Sequence, residues 1–483
     1  MTNKQVKKRI VTDEFGQKFE LKSKLGEGGQ GLVCATQFEN VLVKINTQSD
    51  QQKKRKWVEH IRWLMQQPLE DMNVAKPLSR IAMNENSVGY VMELMDGLMP
   101  LQQFMDTTEE AMDGSEYSLL EYLASGGIKR RMQILSKLSR TLAGLHAKGL
   151  AFGDLSPANI FISKQTPYSE VWLIDCDNIC VNQRESYDSV QLEGKAGKVF
   201  SPGYGAPEVV NGDRLVSSLT DSWSFGVIAM KLLTTNHPFV GEIVESGTPE
   251  EQDIAFAGGF PWIYHPTDTS NQLNIGIPID VVTLKPLRDL FERCFNIGKD
   301  EPLKRPTLSE WAEVFEQMSN ILVNCQNIKC KSTFTFSLTD NKLICPFCDS
   351  QLNNSQVLLV RHYLYEQSLE DIAGATKKDA YIDAGDRQTV NLGESIVIKD
   401  SPPGSIHWAD SKESIEVSFT DSGLLITPLQ ADTFEMGLSA EKLQTFTSAT
   451  ELPLTGKKNR TLFIKPHGSK TDENVVSLFG FRW

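Results

Sequence analysis

The side chains best suited to chemistry are two carboxylates and one amide, each at the end of an apolar segment. Asp154 and Asn159 stand five residues apart across a Ser-Pro turn in LAFGDLSPANIFI, and Asp175 ends the apolar run of VWLIDCDNI. A carboxylate can orient a hydroxyl group and accept its proton, and oxygen ligands of this kind hold Mg²⁺ against phosphates. Each residue alone could equally cap a turn. As a set they favour phosphoryl transfer.

A glycine-rich segment upstream could hold the phosphates. Residues 18–45 read as strand, glycine turn, strand, turn and strand, with LGEGGQGLV around the first turn. Glycine has no Cβ, so the backbone can approach an anion and direct N–H groups towards it. Because the segment opens a hairpin rather than a helix, it disfavours a Rossmann fingerprint. It favours a flap over nucleotide phosphates.

Lys44 lies in the apolar run VLVKI that follows this hairpin. A lysine facing inward there would need a charged partner, because burying an unpaired charge is costly; an exposed lysine at a sheet edge is the alternative. Helical spacing predicts a helix over residues 50–67. Its apolar face comprises Trp57, Ile61, Leu64 and Met65. Glu59, fifteen residues beyond Lys44, is the candidate partner if this helix packs beside the sheet.

Further elements must hold the catalytic turns in place. A helix is predicted at about residues 129–148, directly before the turn that carries Asp154. A buried strand is predicted over residues 88–95 (VGYVMELM), running into a linker. The end of that strand could offer the Glu93 carbonyl and the Met95 N–H to an adenine edge.

Four cysteines crowded between residues 325 and 348 form a second candidate site. Cys325 and Cys330 make one close pair, and Cys345 and Cys348 make another after fourteen intervening residues. Two such knuckles joined by a hairpin can place four thiolates tetrahedrally around one Zn²⁺, which would stabilise a segment too short to fold alone. Free or redox-active cysteines are the alternative, but the βαβ pattern that usually surrounds a redox C-x-x-C pair is absent. The segment resembles a zinc ribbon.

The last part of the chain consists of β-prone runs separated by turn residues. The runs are TVNLGESIVI, SIEVSF, GLLITPL, RTLFIKP and VVSLFGFRW. They predict an all-β sandwich that serves as an interaction domain. Leu392-Gly393-Glu394 followed by Ser405-Ile406-His407 is similar to the forkhead-associated (FHA) domain, a phosphothreonine reader. Glu394 stands where that family has its phosphate-contacting arginine, however, and a carboxylate there would repel phosphate.

The order of the motifs resembles the eukaryotic-type (Hanks-type) serine/threonine protein kinase family, with its glycine loop, strand lysine, catalytic loop and metal-binding turn. Three later motifs extend the resemblance over residues 18–322. Gly205-Ala206-Pro207-Glu208 is similar to A-P-E, and Asp221-Ser222-Trp223-Ser224-Phe225-Gly226 is similar to the D-x-W-S-x-G helix that supports the catalytic loop. Arg305, in LKRPT, matches the arginine that pairs with the A-P-E glutamate, here Glu208.

The resemblance implies an α+β bilobal protein kinase fold, followed by a small zinc ribbon and an all-β sandwich. Lys44 would hold the α- and β-phosphates of ATP and pair with Glu59. Asp154 would be the catalytic base, while Asn159 and Asp175 would hold Mg²⁺. The residues expected around ATP are Gly26, Glu27, Gly28, Gly29, Gln30, Gly31, Val33, Lys44, Glu59, the gatekeeper Met92, and the hinge residues Glu93 and Met95.

Three departures from the family pattern bear on activity. Phe152-Gly153-Asp154 replaces H-R-D, so the arginine that clamps a phosphorylated activation loop is missing, which predicts activity independent of such phosphorylation. Ser156 replaces the usual basic residue two positions after the catalytic aspartate. Asp175-Cys176-Asp177 replaces D-F-G, and the second carboxylate could strengthen metal binding or cap the turn. The activation segment that follows contains four candidate phosphosites, Ser186, Tyr187, Ser189 and Ser201.

The four groups that would touch nucleotide, metal or acceptor are nevertheless present: Lys44, Asp154, Asn159 and Asp175. Their presence favours an active serine/threonine kinase that also phosphorylates itself. The alternative is a pseudokinase scaffold that binds nucleotide and recruits partners through the ribbon and the sandwich. The compact DLSPAN and DCD variants are similar to kinases of bacterial phosphorylation triads. That similarity implies a PP2C-type phosphatase and a von Willebrand A-domain protein as partners, beside a protein substrate.

Composition limits the remaining possibilities. The chain has 483 residues, 40% hydrophobic and 23% charged, with a net charge of −13, which disfavours nucleic acid and anionic membranes as general partners. No apolar run approaches a membrane span and no secretory signal is recognisable, so a cytoplasmic location is expected. The expected domains are an N-terminal extension (1–17), a kinase domain (18–322, with lobes 18–96 and 97–322), a zinc ribbon (323–352), a linker (353–375) and a β-sandwich (376–483).

Overall fold

The computed structural model divides the chain into two compact units, Met1–Phe315 and Glu316–Trp483. It describes residues 9–28, 31–84, 87–112, 118–182, 200–273, 275–335, 343–372, 374, 376–400, 412–429, 433–454, 461–466 and 475–482. Among these residues, no helix has both the length and the apolar character needed to cross a bilayer.

The first lobe of unit 1 is an antiparallel sheet with one helix packed against it. Its elements are β1 (Arg9–Thr12), β2 (Lys18–Leu21), β3 (Lys24–Gly28), β4 (Gly31–Ala35), β5 (Val41–Asn46), α1 (Gln51–Leu64), β6 (Pro77–Asn84) and β7 (Ser87–Glu93). The main sheet has the order β3-β4-β5-β7-β6. The Asp50 side chain begins α1 by accepting the N–H groups of Gln52 and Lys53, as expected of an N-cap. Trp57, Ile61 and Leu64 form the buried face of α1, as their spacing predicts.

The N-terminal extension predicted for residues 1–17 is partly wrong. β1 pairs with β2, and Val11 and Phe19 pack with Val43 and Ile81 of the main sheet. β1 has only four residues and its two apolar residues, Ile10 and Val11, are adjacent rather than alternating, so the sequence did not reveal that β1 belongs to this core.

The second lobe of unit 1 is mainly helical. It contains β8 (Leu98–Pro100), α2 (Leu101–Met112), α3 (Ser118–Ala124), α4 (Gly127–Ala147), β9 (Leu150–Ala151), β10 (Ile160–Ser163), β11 (Val171–Leu173), β12 (Cys180–Val181), α5 (Pro207–Val210), α6 (Ser218–Thr234), α7 (Glu242–Glu245), α8 (Pro249–Phe256), α9 (Ile279–Val282), α10 (Lys285–Glu292), a π-helical turn (Arg293–Ile297) and α11 (Gly298–Asp300). The last helix, α12 (Leu308–Asn320), begins in unit 1 and ends in unit 2. α6 is buried on nearly every side, which is typical of a helix at the centre of a domain. Antiparallel pairing of β10 with β8 and β11 places the turns before β10 and after β11 close together.

Unit 2 contains a β-sandwich. Its strands are β13 (Leu322–Asn324), β14 (Thr333–Thr335), β15 (Val357–Glu366), β16 (Tyr381–Asn391), β17 (Ser395–Asp400), β18 (Lys412–Thr420), β19 (Gly423–Pro428), β20 (Phe434–Gly437), β21 (Gln444–Phe446), β22 (Thr450–Leu452), β23 (Thr461–Lys465) and β24 (Val475–Arg482). One sheet has the order β16-β15-β24-β23-β20-β21 and the other β17-β18-β19-β22. Residues of both sheets share one apolar core, for example Leu358 and Phe481 of the first with Val417 and Ile426 of the second.

The structure corrects the linker predicted over residues 353–375. This range contains β15, which is paired on one side with β16 and on the other with β24. Its sequence, VLLVRHYLYE, alternates only in part, because Val357 packs into the core beside the cysteine cluster while Leu358 packs into the core of the sandwich. Period-two reasoning therefore missed a central strand of the sandwich.

Candidate active site

Asp175 lies on a turn that the structure ties directly to the catalytic loop. The Ile174 N–H donates to the Asn159 carbonyl at 2.9 Å, just after β11. Asp175 then adopts a left-handed conformation with φ of 60° before a short 3₁₀ turn over Cys176–Asn178. Aspartate tolerates this conformation better than most residues. The reversal leaves the Asp175 side chain 33% exposed and the Asp177 side chain completely buried.

Lys44 is buried in β5 and meets both carboxylates of this turn. Its ammonium forms a close ion pair with Asp175 Oδ1 and a second ion pair with Asp177 Oδ2 at 2.8 Å. Burial lowers the pKa of the Lys44 ammonium, but attraction to Asp177 and Asp175 outweighs that effect, so the pKa is raised. Lys44 is therefore a fixed positive charge at the centre of the site, and the alternative of an exposed edge lysine is wrong.

The structure does not bring Glu59 to Lys44. Glu59 lies on the exposed side of α1, whereas Trp57 is buried. Two residues along an α-helix rotate the side chain by about 200°, so both cannot face the sheet. The apolar face predicted from the sequence already contained Trp57, and this helical geometry was the signal that could have excluded Glu59.

Asp177 is the residue that sequence reasoning underestimated. Besides Lys44, it accepts a hydrogen bond from Trp57 Nε1 at 2.9 Å and one from the Tyr90 hydroxyl at 2.6 Å. The Trp57 and Tyr90 rings stack with centroids 5.8 Å apart. Neither role considered from the sequence, metal ligand or turn cap, describes these contacts.

Two carboxylates against one ammonium leave an excess of negative charge beside the cleft. Burial raises the pKa of the Asp175 carboxyl; Lys44 opposes this shift and Asp177 adds to it. A divalent cation would relieve this excess, and Asp175 is the carboxylate with an exposed side. The Asn159 amide N–H donates to the Asp154 carbonyl at 2.9 Å, which directs its oxygen away as a further ligand. These residues fit Mg²⁺, which prefers oxygen ligands.

Asp221 of α6 binds the backbone of the loop that carries Asp154. Its carboxylate accepts the backbone N–H groups of Phe152 at 2.6 Å and Gly153 at 3.0 Å, and it contacts His146 Nε2 at 2.9 Å. Asp221 lies in the first turn of α6, after the Ser217 cap. This buried anion orients the loop that carries Asp154, as expected for the D-x-W-S-x-G motif.

Gly153 cannot readily be replaced by another residue. Its φ is 91°, and a Cβ built there would lie 2.7 Å from the Asn178 carbonyl oxygen. The glycine therefore allows the loop that carries Asp154 to pass close to the 3₁₀ turn Cys176–Asn178, which follows Asp175. This contact explains why a glycine stands where the family pattern has arginine.

Asp154 faces the segment that precedes the A-P-E motif. The Ser201 hydroxyl donates to Asp154 Oδ1 at 2.9 Å. Ser201, predicted as a phosphosite, is thus a partner of the proposed catalytic base. Ser186, Tyr187 and Ser189 lie outside the described residues.

The segment after Ser201 is anchored by a buried ion pair. Arg305 donates to both oxygens of Glu208, at 2.7 and 2.8 Å, and also to the carbonyls of Gly298 and Leu219. Its guanidinium lies 4.9 Å from the Trp223 ring centroid. The pairing expected between Arg305 and Glu208 is present.

Most of the residues predicted to surround ATP lie on the main sheet. β3 and β4 form the expected hairpin, with Val33 opposite Gly26 and Lys44 opposite Val33. A Cβ on Gly31 would lie 2.6 Å from the Ile45 carbonyl oxygen, so this close strand pairing requires glycine. The side chain of Glu27 and all of Gly29 and Gln30 lie outside what the structure describes.

The predicted gatekeeper and hinge lie at the end of β7. Met92 is buried and pairs with Leu42, whereas Glu93 and Met95 are exposed. The intervening Leu94 N–H donates to the Asn40 carbonyl at 3.0 Å. This bond leaves the Glu93 carbonyl and the Met95 N–H as the backbone groups predicted to meet adenine.

The four cysteines of unit 2 converge on one point. Their sulfur atoms all lie within 4.8 Å of one another, with Cys325–Cys348 at 3.6 Å and Cys330–Cys345 at 3.9 Å. Four sulfurs at ~2.3 Å from a tetrahedral Zn²⁺ would be separated by ~3.8 Å. The cluster therefore fits a zinc ion, and β13 and β14 form a short hairpin beside it.

The two knuckles of the cluster have the same local structure. Cys330 and Cys348 are each followed by a residue of positive φ, Lys331 at 52° and Asp349 at 55°. A serine two residues after each cysteine places its hydroxyl 3.2 Å from the sulfur. The Ser350 hydroxyl and backbone N–H lower the pKa of the Cys348 thiol to about 6. A thiolate favoured in this way is the form that binds metal.

Glu394 in the β-sandwich is engaged in structural hydrogen bonds. Its carboxylate accepts from the Asn324 side chain at 3.1 Å and from the Asn391 side chain at 2.8 Å. Both oxygens of the Glu394 carboxylate are thus engaged by neighbouring asparagines. The segment Ser405–His407, which contributed to the FHA resemblance, lies outside the described residues.

Comparison with known proteins finds similarity to protein kinases. The family model described as "Protein kinase domain" matches residues 19–317. Similar proteins include the serine/threonine-protein kinase pkn2 of Myxococcus xanthus, 31% identical over 128 residues (26% of this chain and 15% of that protein). They also include the serine/threonine-protein kinase PknD of Protochlamydia amoebophila, 29% identical over 175 residues (34% and 17%). The matches thus span less than a fifth of the length of these two relatives.

Proposed function

The chain belongs to the protein kinase family, and we propose that it transfers the γ-phosphoryl group of ATP to serine or threonine hydroxyl groups of proteins, including its own. The observation that carries the proposal is the buried ion pair between Lys44 and Asp175, residues 131 positions apart in sequence. This pair joins β5, the strand next to the glycine hairpin, to the turn after β11. The residue before that turn, Ile174, donates its N–H to the Asn159 carbonyl. This contact supports a site in which Lys44 would bind the nucleotide and Asp175 would bind the metal ion.

Each group has a distinct task in this mechanism. When bound, ATP would supply the phosphoryl group, and Mg²⁺ would supply positive charge that neutralises the phosphate oxygens. Lys44 binds phosphate oxygens, and Asp175 and Asn159 offer oxygen ligands to the metal. Asp154 orients the acceptor hydroxyl and accepts its proton, while Ser201 holds the carboxylate in position.

The direct test is transfer of ³²P from γ-labelled ATP with Mg²⁺, to the chain itself and to a basic protein substrate. Asp154→Asn and Asp175→Asn keep the shape of each side chain and remove its charge. Transfer by the wild type that is lost in both variants supports the proposal. Undiminished transfer by Asp154→Asn would contradict the assignment of the base.

Activity independent of phosphorylation of the activation segment is part of this proposal. It is supported by Gly153, whose φ and contact with Asn178 exclude the arginine that would clamp a phosphate. Treatment with a phosphatase before the assay should leave the initial rate of substrate phosphorylation unchanged. A rate that falls after the treatment would contradict this part.

A nucleotide-binding scaffold without transfer is the second candidate. The Ser156 hydroxyl, where the family usually has a basic residue, is buried and without a hydrogen-bond partner among the described residues. Calorimetry combined with the transfer assay separates the two candidates, because both would bind ATP with Mg²⁺ but the scaffold would transfer no phosphate. The DLSPAN and DCD variants imply a PP2C-type phosphatase and a von Willebrand A-domain protein as partners. Either an active kinase or a scaffold could have these partners.

We further propose that Cys325, Cys330, Cys345 and Cys348 hold one Zn²⁺ in a zinc ribbon. The sulfur separations support this assignment. Metal analysis of the purified chain should give one zinc per chain, and Cys345→Ser should lower that content. A chain that folds normally with no bound metal would contradict the proposal.

A further inference from the structure

The buried carboxylate beside Lys44 comes from the metal-binding turn and not from the helix of the first lobe. Asp177 Oδ2 lies 2.8 Å from Lys44 Nζ, and the Asp177 side chain is fully buried. Among the described residues, the ion pairs of Lys44 are those with Asp175 and Asp177. α1 contributes Trp57, a neutral hydrogen-bond donor, where the family resemblance predicts the acidic Glu59.

The contacts of Asp177 distinguish its role from that of Asp175. Three donors from three elements converge on Asp177: Lys44 of β5, Tyr90 of β7 and Trp57 of α1. Both carboxylate oxygens are thereby engaged, and neither is exposed to a metal ion. Asp175, by contrast, keeps a third of its side chain exposed. One carboxylate therefore faces the cleft and the other faces the protein interior.

The packing around Asp177 is built to hold a charge. A buried carboxylate is stable only when its oxygens are paired and hydrogen-bonded. The stacked rings of Trp57 and Tyr90 exclude water from it while their polar atoms point at its two oxygens. Lys44 is thus fixed from the inner side by a carboxylate that cannot turn towards the cleft.

We propose that Asp177 is the positioning residue of Lys44, in the place that the family resemblance gives to Glu59, and that Trp57 links α1 to this pair. The inference rests on the proposed function, since it concerns the lysine that would bind phosphate. It implies that the counter-charge of Lys44 does not depend on the position of an acidic residue on α1. Instead, α1 contacts the Lys44–Asp177 pair through the indole N–H of Trp57.

A double-mutant cycle on the ligand-free chain tests the pairing without using activity. Thermal unfolding is compared for Asp177→Asn, Lys44→Met and the double variant, and the same cycle is run with Glu59→Gln in place of Asp177→Asn. We expect the double Asp177 variant to melt at a higher temperature than the sum of the two single shifts predicts, because each single change leaves a buried charge less well paired. The Glu59 cycle should be additive. Additive Asp177 shifts, or coupling found only in the Glu59 cycle, would overturn the proposal.

Kinetics tests the consequence for catalysis. Asp177→Asn should lower kcat/KM for ATP by about 10²-fold, the scale expected when a catalytic group is misplaced by about 1 Å. Trp57→Phe keeps an aromatic ring but removes the N–H, and it should produce a smaller loss of the same kind. A larger loss in Glu59→Gln than in Asp177→Asn would overturn the proposal. Failure of the wild type to transfer phosphate would refute the proposed function, whereas the stability cycle would still decide the pairing.

Discussion

We expect His237 to make the stability of the kinase unit sensitive to acid. Its Nε2 lies 2.7 Å from the Gly203 carbonyl, so Nε2–H is the donor, and its Nδ1 accepts the Phe239 N–H at 3.2 Å. Protonation would place a second hydrogen on Nδ1, facing a donor. Burial lowers the pKa of His237 to about 4; the bond to Gly203 opposes this shift and Lys231 adds to it. Gly203 lies two residues after Ser201, so this histidine also supports the segment facing Asp154.

The sign and size of the effect follow from that shift. Because the folded pKa lies below the ordinary value of 6.5, the stability contributed by neutral His237 is complete above pH 6.5 and is lost as pH falls towards 4. From pH 7.5 to pH 5 the loss for a fully buried ring is about 2 kcal/mol. Since the ring is partly exposed, screening by solvent reduces the expected loss to about 1–2 kcal/mol.

Urea unfolding followed by tryptophan fluorescence measures this difference, because six of the eight tryptophans lie in residues 1–315. His237→Gln is the matched control, since glutamine can still donate to Gly203 but does not titrate. The wild type should lose about 1–2 kcal/mol more than this variant between pH 7.5 and pH 5. Parallel pH profiles for the two proteins would refute the reasoning.

Three further predictions concern other parts of the chain. Glu208→Gln should destabilise unit 1 by about 3 kcal/mol in urea unfolding, because it leaves the buried Arg305 without its counter-charge; a change below about 1 kcal/mol would show that the pair is dispensable. Gly153→Ala should lower both stability and phosphate transfer, because its Cβ would lie against the Asn178 carbonyl; unchanged unfolding and kinetics would contradict that strain. A zinc chelator should release the metal from the cysteine cluster and increase proteolysis of residues 316–483, and Cys345→Ser should reproduce this increase without chelator; equal proteolysis in all three samples would exclude a structural metal.

The candidate catalytic residues could be named from the sequence because their spacing is local. Asp154 and Asn159 share one turn, and the glycine hairpin and Lys44 share one stretch of strands, so residue type and order predicted them as a set. The pairing of Arg305 with Glu208 lies between distant segments, yet the motifs around both residues predicted it. The cysteine cluster followed from spacing in the same way, because two knuckles fix the positions of their own ligands.

The errors arose where a short segment carried too little information. β1 has four residues and β15 faces apolar neighbours on both sides near its start, so neither showed a decisive period. The phosphosite at Ser201 stays a prediction. Its residue type suited modification, but only the folded chain shows that its hydroxyl contacts Asp154.

The sequence by itself determined which side chains could do chemistry and the order in which the chain presents them, since turns, knuckles and short hairpins are set by neighbouring residues. The tertiary structure decided which of the available carboxylates Lys44 meets. The face of α1 turned to the sheet is chosen by burial of Trp57, and that choice excludes Glu59 and brings an indole N–H to Asp177. An ion pair between segments more than a hundred residues apart depends on packing across both lobes, and no local pattern contains that information.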